Sequence, residues 1–158
     1  MVTAAALTNS PDPHRLFGIN AEHTTFSPGS GTVVCQLGGA AAATMSAAAR
    51  ISYSMGYRKF NINCGCPSPK VAGNGQFGAS LMNSPEIVRD ICRAVSDVTG
   101  TETSVKMRIG LDQMTEQESY AFTQRFVEVV SGSGSGNGSG VNHFIVHARK
   151  AILDGKFT

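Results

Sequence analysis

Phe60-Asn61-Ile62-Asn63-Cys64-Gly65-Cys66-Pro67-Ser68-Pro69 is the stretch whose reading decides the fold. Its start, Phe60 to Asn63, is a short strand-forming run. A loop with two prolines follows, and then the glycine-rich string Gly75-Gln76-Phe77-Gly78-Ala79-Ser80-Leu81-Met82. A cysteine is thereby held just past the carboxyl end of a strand. Pro67 fixes the backbone directly after it, and the glycines let the chain approach a ligand closely.

Working outward, the same unit recurs. Thr32 to Leu37 (TVVCQL) is a β-branched run bounded by glycines, which predicts a buried strand. The alanine-rich segment from Ala40 to about Met55 forms helix readily, and Gly56 stops it. Ser84 and Pro85 suit the N-cap and first position of a helix with Ile87, Ile91, Val95 and Val98 on one face, ended by Gly100. Ser104 to Ile109 (SVKMRI) alternates like a strand. Thr115 and Glu118 form a capping box before the stripe Phe122, Phe126, Val129 and Val130. Residues 131–140 are almost pure Gly/Ser and predict a surface loop. Asn142 to His147 (NHFIVH) is the last strand. Met1-Val2-Thr3 fits the end of a strand, and the proline-punctuated stretch behind it reads as loop with one short helix. Strict alternation of strand and helix implies α/β architecture with a parallel sheet. A closed (β/α)8 barrel takes about 250 residues, so 158 residues correspond to a partial TIM barrel of about five units.

Composition narrows the classes. The charged fraction is 15% and the apolar fraction 41%, as in a globular chain rather than a disordered one. A net charge of +2 is too small to argue for or against nucleic acid, since a local basic patch would be averaged away. No apolar run reaches the 18 residues of a membrane span, and the amino terminus lacks the pattern of a secretory signal. An intracellular, cytoplasmic protein is expected, with thiols reduced. Of the cysteines, Cys64 and Cys66 are spaced too tightly for a zinc knuckle and have no second ligand pair, so no metal is expected. Cys35 and Cys92 sit in apolar runs and read as buried small hydrophobes, as does Cys64 at its strand end.

Three strands end in polar residues that burial alone does not require: Asn61 and Asn63, Lys106 and Arg108, His147 and Arg149. Each pair is spaced by two, which puts both side chains on one face. Any single one could be a rim residue, but six of them converge at the carboxyl mouth of a barrel, where such folds do their chemistry. Lysine and arginine supply positive charge for a phosphate or an electron-rich ring. Carboxamides offer donor and acceptor to a heterocycle, and histidine can donate to a phosphate or ring carbonyl. A loop cysteine can deliver a proton or act as a nucleophile. Paired carboxylates, a G-x-S-x-G elbow and a Walker loop are all missing.

These blocks closely resemble the tRNA-dihydrouridine synthases. That family carries Gln36-Leu37-Gly38-Gly39, Asn63-Cys64-Gly65-Cys66-Pro67 followed by Phe77 to Met82, Val105-Lys106-Met107-Arg108-Ile109-Gly110, and Val146-His147-Ala148-Arg149, in this order. The similarity runs along nearly the whole chain and is closest to the bacterial A-type branch. It implies an FMN enzyme, reduced by NADPH, that converts uridine in tRNA to 5,6-dihydrouridine. Hydride would go to C6 of the base and a proton to C5 from Cys66. Gln36, Asn63, Lys106 and His147 match flavin-contacting positions, and Arg108 and Arg149 match substrate-facing ones. The partner implied is tRNA, whose target base must be extruded into the pocket. No membrane partner is implied, and a monomer is expected.

The family's first-strand block A-P-M-x-D-W-T-D, its later N-G-G-I and G-R blocks and its helical tRNA-binding domain have no counterpart in this sequence. Residues 1–158 are therefore expected to be part of a single FMN-binding barrel domain, inactive alone and exposing sheet edges. Two other readings stand beside this one. A dihydroorotate- or dihydropyrimidine-dehydrogenase-like flavoenzyme shares the barrel, the FMN and an active-site cysteine. A non-catalytic fragment is the third.

Overall fold

Every strand of the sheet pairs in parallel with the one before it in sequence, the arrangement that alternating strands and helices predict. The computed structural model describes residues 1–18, 33–68, 77–132 and 141–153. Within these, β1 (Val2–Thr3), β2 (Cys35–Gly38), β3 (Phe60–Cys64), β4 (Thr103–Arg108) and β5 (Phe144–His147) form one five-stranded sheet in the order β1-β2-β3-β4-β5. The helices between them are α1 (Ala4–Asn9), α2 (Ala42–Ser54), α3 (Pro85–Thr99) and α4 (Glu116–Ser131). Short 3₁₀ segments cover Pro13–Phe17 and Gly78–Asn83. This is a parallel α/β sheet consistent with a partial TIM barrel, and Met1-Val2-Thr3 does supply a strand to it. Thr32, the loop residues 69–76 and residues 133–140 of the Gly/Ser stretch lie outside the described residues.

Local chemistry sets the helix limits. Thr115 and Glu118 form the capping box in full: the Thr115 Oγ1 accepts from the Glu118 N–H at 3.3 Å, and the Glu118 carboxylate accepts from the Thr115 N–H at 2.7 Å. Gly100 and Gly132 close α3 and α4 at φ of 66° and 73°, a left-handed conformation that a side chain would oppose. Ser84 occupies the N-cap of α3 and Pro85 its first turn. The Ser84 side chain makes no capping hydrogen bond, so only its carbonyl closes the turn.

One face of the sheet is packed against the helices. Leu37, Phe60, Ile62, Cys64, Val105 and Met107 meet Met45, Ala48 and Ala49 of α2, Val88, Ile91 and Val95 of α3, and Phe126 and Val130 of α4. The alanines of α2 let that helix lie close to the strands. Of the stripe expected on α3, Ile91 and Val95 are fully buried and Val98 is half-buried, but Ile87 is 43% exposed and Val88 is fully buried in its place. Cys92, as its apolar surroundings suggest, and Thr99 complete the buried face; the threonine does not announce its burial by hydrophobicity. On α4, Phe126 and Val130 are buried while Phe122 and Val129 are half-buried.

The opposite face carries the polar residues. Residues in register on neighbouring parallel strands share a face. Gln36 pairs with Asn61, Asn61 with Ser104, Asn63 with Lys106, Lys106 with Ile145, and Arg108 with His147. This concave floor leads, at the carboxyl ends of β3, β4 and β5, to the cysteine loop.

Candidate active site

The peptide joining Gly65 to Cys66 is held from four directions. The Asn63 Oδ1 accepts from the Gly65 N–H at 3.2 Å and from the Cys66 N–H at 3.0 Å. The Gly65 carbonyl accepts from the Arg108 Nε at 3.0 Å, and the Cys66 carbonyl accepts from the Ala79 N–H at 2.9 Å. Cys66 is half-buried; Cys35, Cys64 and Cys92 are buried. Burial, with a smaller effect from Cys92, pushes the Cys64 thiol well above the ordinary thiol value. Burial pushes Cys92 up to about 12. It also raises Cys35, against a hydrogen bond with Ser52 that lowers it. These three thiols are packing groups, which leaves Cys66 as the one open to a reactant. Cys64 and Cys66 do not act as a ligand pair, because Cys64 packs into the core. No group of three metal-binding side chains exists among the described residues.

Behind the loop, four side chains form a continuous chain of hydrogen bonds. The Asn63 Nδ2 donates to the Gln36 Oε1 at 3.0 Å, and the Gln36 Nε2 donates to the Asn61 Oδ1 at 2.7 Å. The Asn61 Nδ2 donates to the Ser104 Oγ at 2.9 Å, and that hydroxyl donates to the Phe60 carbonyl at 3.0 Å. The direction is fixed at one end, since backbone N–H groups can only donate. The Asn63 oxygen must face them, which turns its nitrogen to Gln36, and each later group is set in turn. Each carboxamide nitrogen carries two hydrogens and uses one among the described residues, so Gln36, Asn61 and Asn63 each retain a donor there.

Cations crowd the same end. Lys106 and Arg108 on β4 and His147 on β5 stand beside Arg149 and Lys150 in the following loop. Lys106 makes no hydrogen bond or ion pair among the described residues, and the two ion pairs described there, Arg89–Asp90 and Arg125–Glu86, involve helix residues. The positive charge of Arg108 above all, then lost hydration, then Lys106 and Arg149, holds His147 below the usual imidazole pKa. Arg108 also reaches the Lys150 carbonyl with Nη1 at 3.5 Å, so its guanidinium spans the cysteine loop and the loop after β5. Those two outer loops are zipped together. Ile109 N–H donates to the Arg149 carbonyl, Asp112 N–H to Ala151 and Ala151 N–H to Gly110. The Asp112 carboxylate accepts from the Leu153 N–H at 2.6 Å, with Asp112 in the left-handed region at φ 45°.

Gln36, Asn63, Cys66, Lys106, Arg108 and His147 are thus gathered at one end of the sheet. Arg149 lies two residues past β5, exposed, with its N–H on the His147 carbonyl at 2.7 Å. The sequence reading missed Ser104 and Asp112. Ser104 sits two residues before Lys106, so strand alternation could have placed it on the polar face. Asp112 gave no signal beyond lying two residues after Gly110. Amide donors and an ammonium that are uncommitted among the described residues suit an acceptor-rich, anionic heterocycle, and a flavin mononucleotide fits that donor set.

A parallel α/β sheet with a cationic, carboxamide-lined mouth and a single accessible cysteine defines the class: a barrel-type protein with its site at the carboxyl ends of the strands. The family model "Dihydrouridine synthase (Dus)" matches residues 1–156. The chain belongs to the dihydrouridine synthase family. A relative from Salmonella typhimurium, described as tRNA-dihydrouridine(20/20a) synthase, is 40% identical over 134 residues, which cover 85% of this chain and 38% of the relative. The protein of the same description from Escherichia coli (strain K12) is also 40% identical over 134 residues, covering 85% of this chain and 36% of its own length. The one from Vibrio vulnificus is 42% identical over 123 residues, covering 78% and 35%. This chain therefore spans little more than a third of the length of these curated relatives. Among the described residues, no helix is long and apolar enough to cross a membrane.

Proposed function

We propose that residues 1–158 are part of a single flavin-binding catalytic domain that reduces uridine in tRNA to 5,6-dihydrouridine. The observation that carries this reading is the position of Cys66, half-open and fixed at four points, beside a carboxamide and lysine floor. Gln36, Asn63, Lys106 and His147 would hold FMN. Its chemistry, with NADPH as reductant, is hydride donation to C6 of the uracil ring. Cys66 gives its thiol proton to C5, so one hydride and one proton add across the C5–C6 double bond. Lys106 places positive charge against the electron-rich ring, and the spare amide hydrogens of Gln36 and Asn63 bind its acceptors. Arg108 and Arg149 face the extruded nucleotide, for which duplex or loop stacking must first be broken. The names of the relatives point to positions 20 and 20a as targets.

The two half-reactions test this separately. With flavin bound, Cys66→Ala should leave NADPH-dependent flavin reduction within about twofold. Uridine reduction should slow by about a hundredfold or more, the usual loss for a missing general acid. Equal loss of both would refute the proton-donor role. An intact protein that makes no dihydrouridine in unmodified tRNA would refute the function.

A further inference from the structure

Ser104 lies outside every block that carries the family resemblance, and among the described residues its hydroxyl bonds only Asn61 and the Phe60 carbonyl. Yet it terminates the hydrogen-bond chain that begins at the Cys66 amide. From the loop inward the order is Cys66 N–H and Gly65 N–H, Asn63, Gln36, Asn61, Ser104 and the Phe60 carbonyl. The direction is fixed from both ends: the loop amides can only donate to Asn63, and the Phe60 carbonyl can only accept, so the Ser104 hydroxyl donates to it and must accept from Asn61. Asn61 is 2% exposed and Asn63 8%, so these two carboxamides are largely shielded from water, while Gln36 and Ser104 are half-buried. Ser104 is the only hydroxyl in the chain, and its Oγ both accepts from Asn61 and donates to backbone of β3. It therefore ties the floating end of three carboxamides to a rigid strand.

We propose that Ser104 is a positioning residue for Cys66, acting through Asn61, Gln36 and Asn63. Its hydroxyl holds the carboxamides in one orientation, and that orientation presents the Asn63 oxygen to the Gly65 and Cys66 amides. Without it the Asn61 nitrogen loses its acceptor and the chain slackens towards the loop. The significance of this for catalysis rests on the role of Cys66 proposed above. The positioning itself can be read without substrate or flavin.

The experiment compares Ser104→Thr, which keeps the hydroxyl, with Ser104→Val, which has the shape of threonine without it, and with Ser104→Ala. The rate of Cys66 alkylation by iodoacetamide is followed by peptide mass spectrometry; the other three thiols are buried and serve as internal controls. Ser104→Thr should react as the unaltered protein does. Ser104→Val and Ser104→Ala should both react about fivefold faster, the factor for one hydrogen bond of ordinary net strength. In the flavin-loaded protein the same two variants should slow uridine reduction and spare flavin reduction. Equal alkylation in all three variants overturns the proposal. So does faster alkylation in Ser104→Thr and Ser104→Val but not Ser104→Ala, which would be an effect of bulk. A Ser104→Ala protein that fails to fold would make the hydroxyl structural and also overturn it. Failure of the uridine-reduction reading would leave the alkylation result intact.

Discussion

Replacing Asn63 by alanine removes one oxygen that two backbone amides share. The Gly65 N–H is buried, and leaving such a donor unpaired costs about 1–3 kcal/mol. The Cys66 N–H is only partly buried, as is the Gln36 oxygen that Asn63 serves, and water can recover part of both. The sum is about 2–4 kcal/mol, a large share of the total stability of a domain this size. At about 2–4 °C per kcal/mol, the melting temperature of Asn63→Ala should fall by about 5–15 °C in a thermal unfolding curve followed by circular dichroism. Asn63→Asp is the control. Its carboxylate still accepts both amides and stands in register beside Lys106, whose charge favours it. It should keep more than half of the lost stability, although Gln36 must turn its amide round. An Asn63→Ala protein melting within about 2 °C of the unaltered one would refute the reasoning, because the loop would then be held by its other bonds. Equal damage from aspartate and alanine would refute it too.

Other expectations are simpler to check. A thiol reagent should modify one cysteine in the native protein and all four after denaturation, since only Cys66 is open; a second fast-reacting thiol would contradict the burial of Cys35, Cys64 and Cys92. Lys106→Ala should weaken flavin binding about tenfold or more in a fluorescence titration, and unchanged flavin retention would remove its assigned role. His147 has its folded pKa held below the unfolded value, so the unfolded chain takes up the proton first on acidification. The stability this contributes is present above about pH 6.5 and lost as pH falls through the folded value. His147→Gln should therefore lose less melting temperature between about pH 7 and 5 than the unaltered protein does; a steeper fall would reverse the sign.

β2 begins later than its β-branched run suggests, because Val33 and Val34 lie before it and are exposed. Strand order was still legible, because short strands alternate with helices ended at glycine, as at Gly100 and Gly132, and because α4 begins with a complete capping box. Two things were not. The first turn of α3 was misplaced by one residue because Ile87 and Val88 are adjacent and both apolar; Thr99, buried at the far end of the helix, is not marked by hydrophobicity. At the site, alternation placed Asn61, Asn63, Lys106, Arg108 and His147 on one side correctly. What it could not give was who binds whom. Arg108 reads as a charge for a ligand, while in the fold its Nε already holds the Gly65 carbonyl. Such pairings cross 40 residues of sequence and depend on register, which no local pattern encodes.

The parallel pairing of each strand with its immediate predecessor has a consequence for synthesis. Each strand after β1 finds its pairing partner already made when it leaves the ribosome. The sheet can be assembled one unit at a time from the amino terminus, with modest loop closure at each addition. The cysteine loop depends on β4 for the Ser104 hydroxyl and the Arg108 guanidinium. Asn63 is at hand when Cys66 is made, but Arg108 follows about forty residues later, so the cysteine loop gains its last tie only when β4 has joined the sheet.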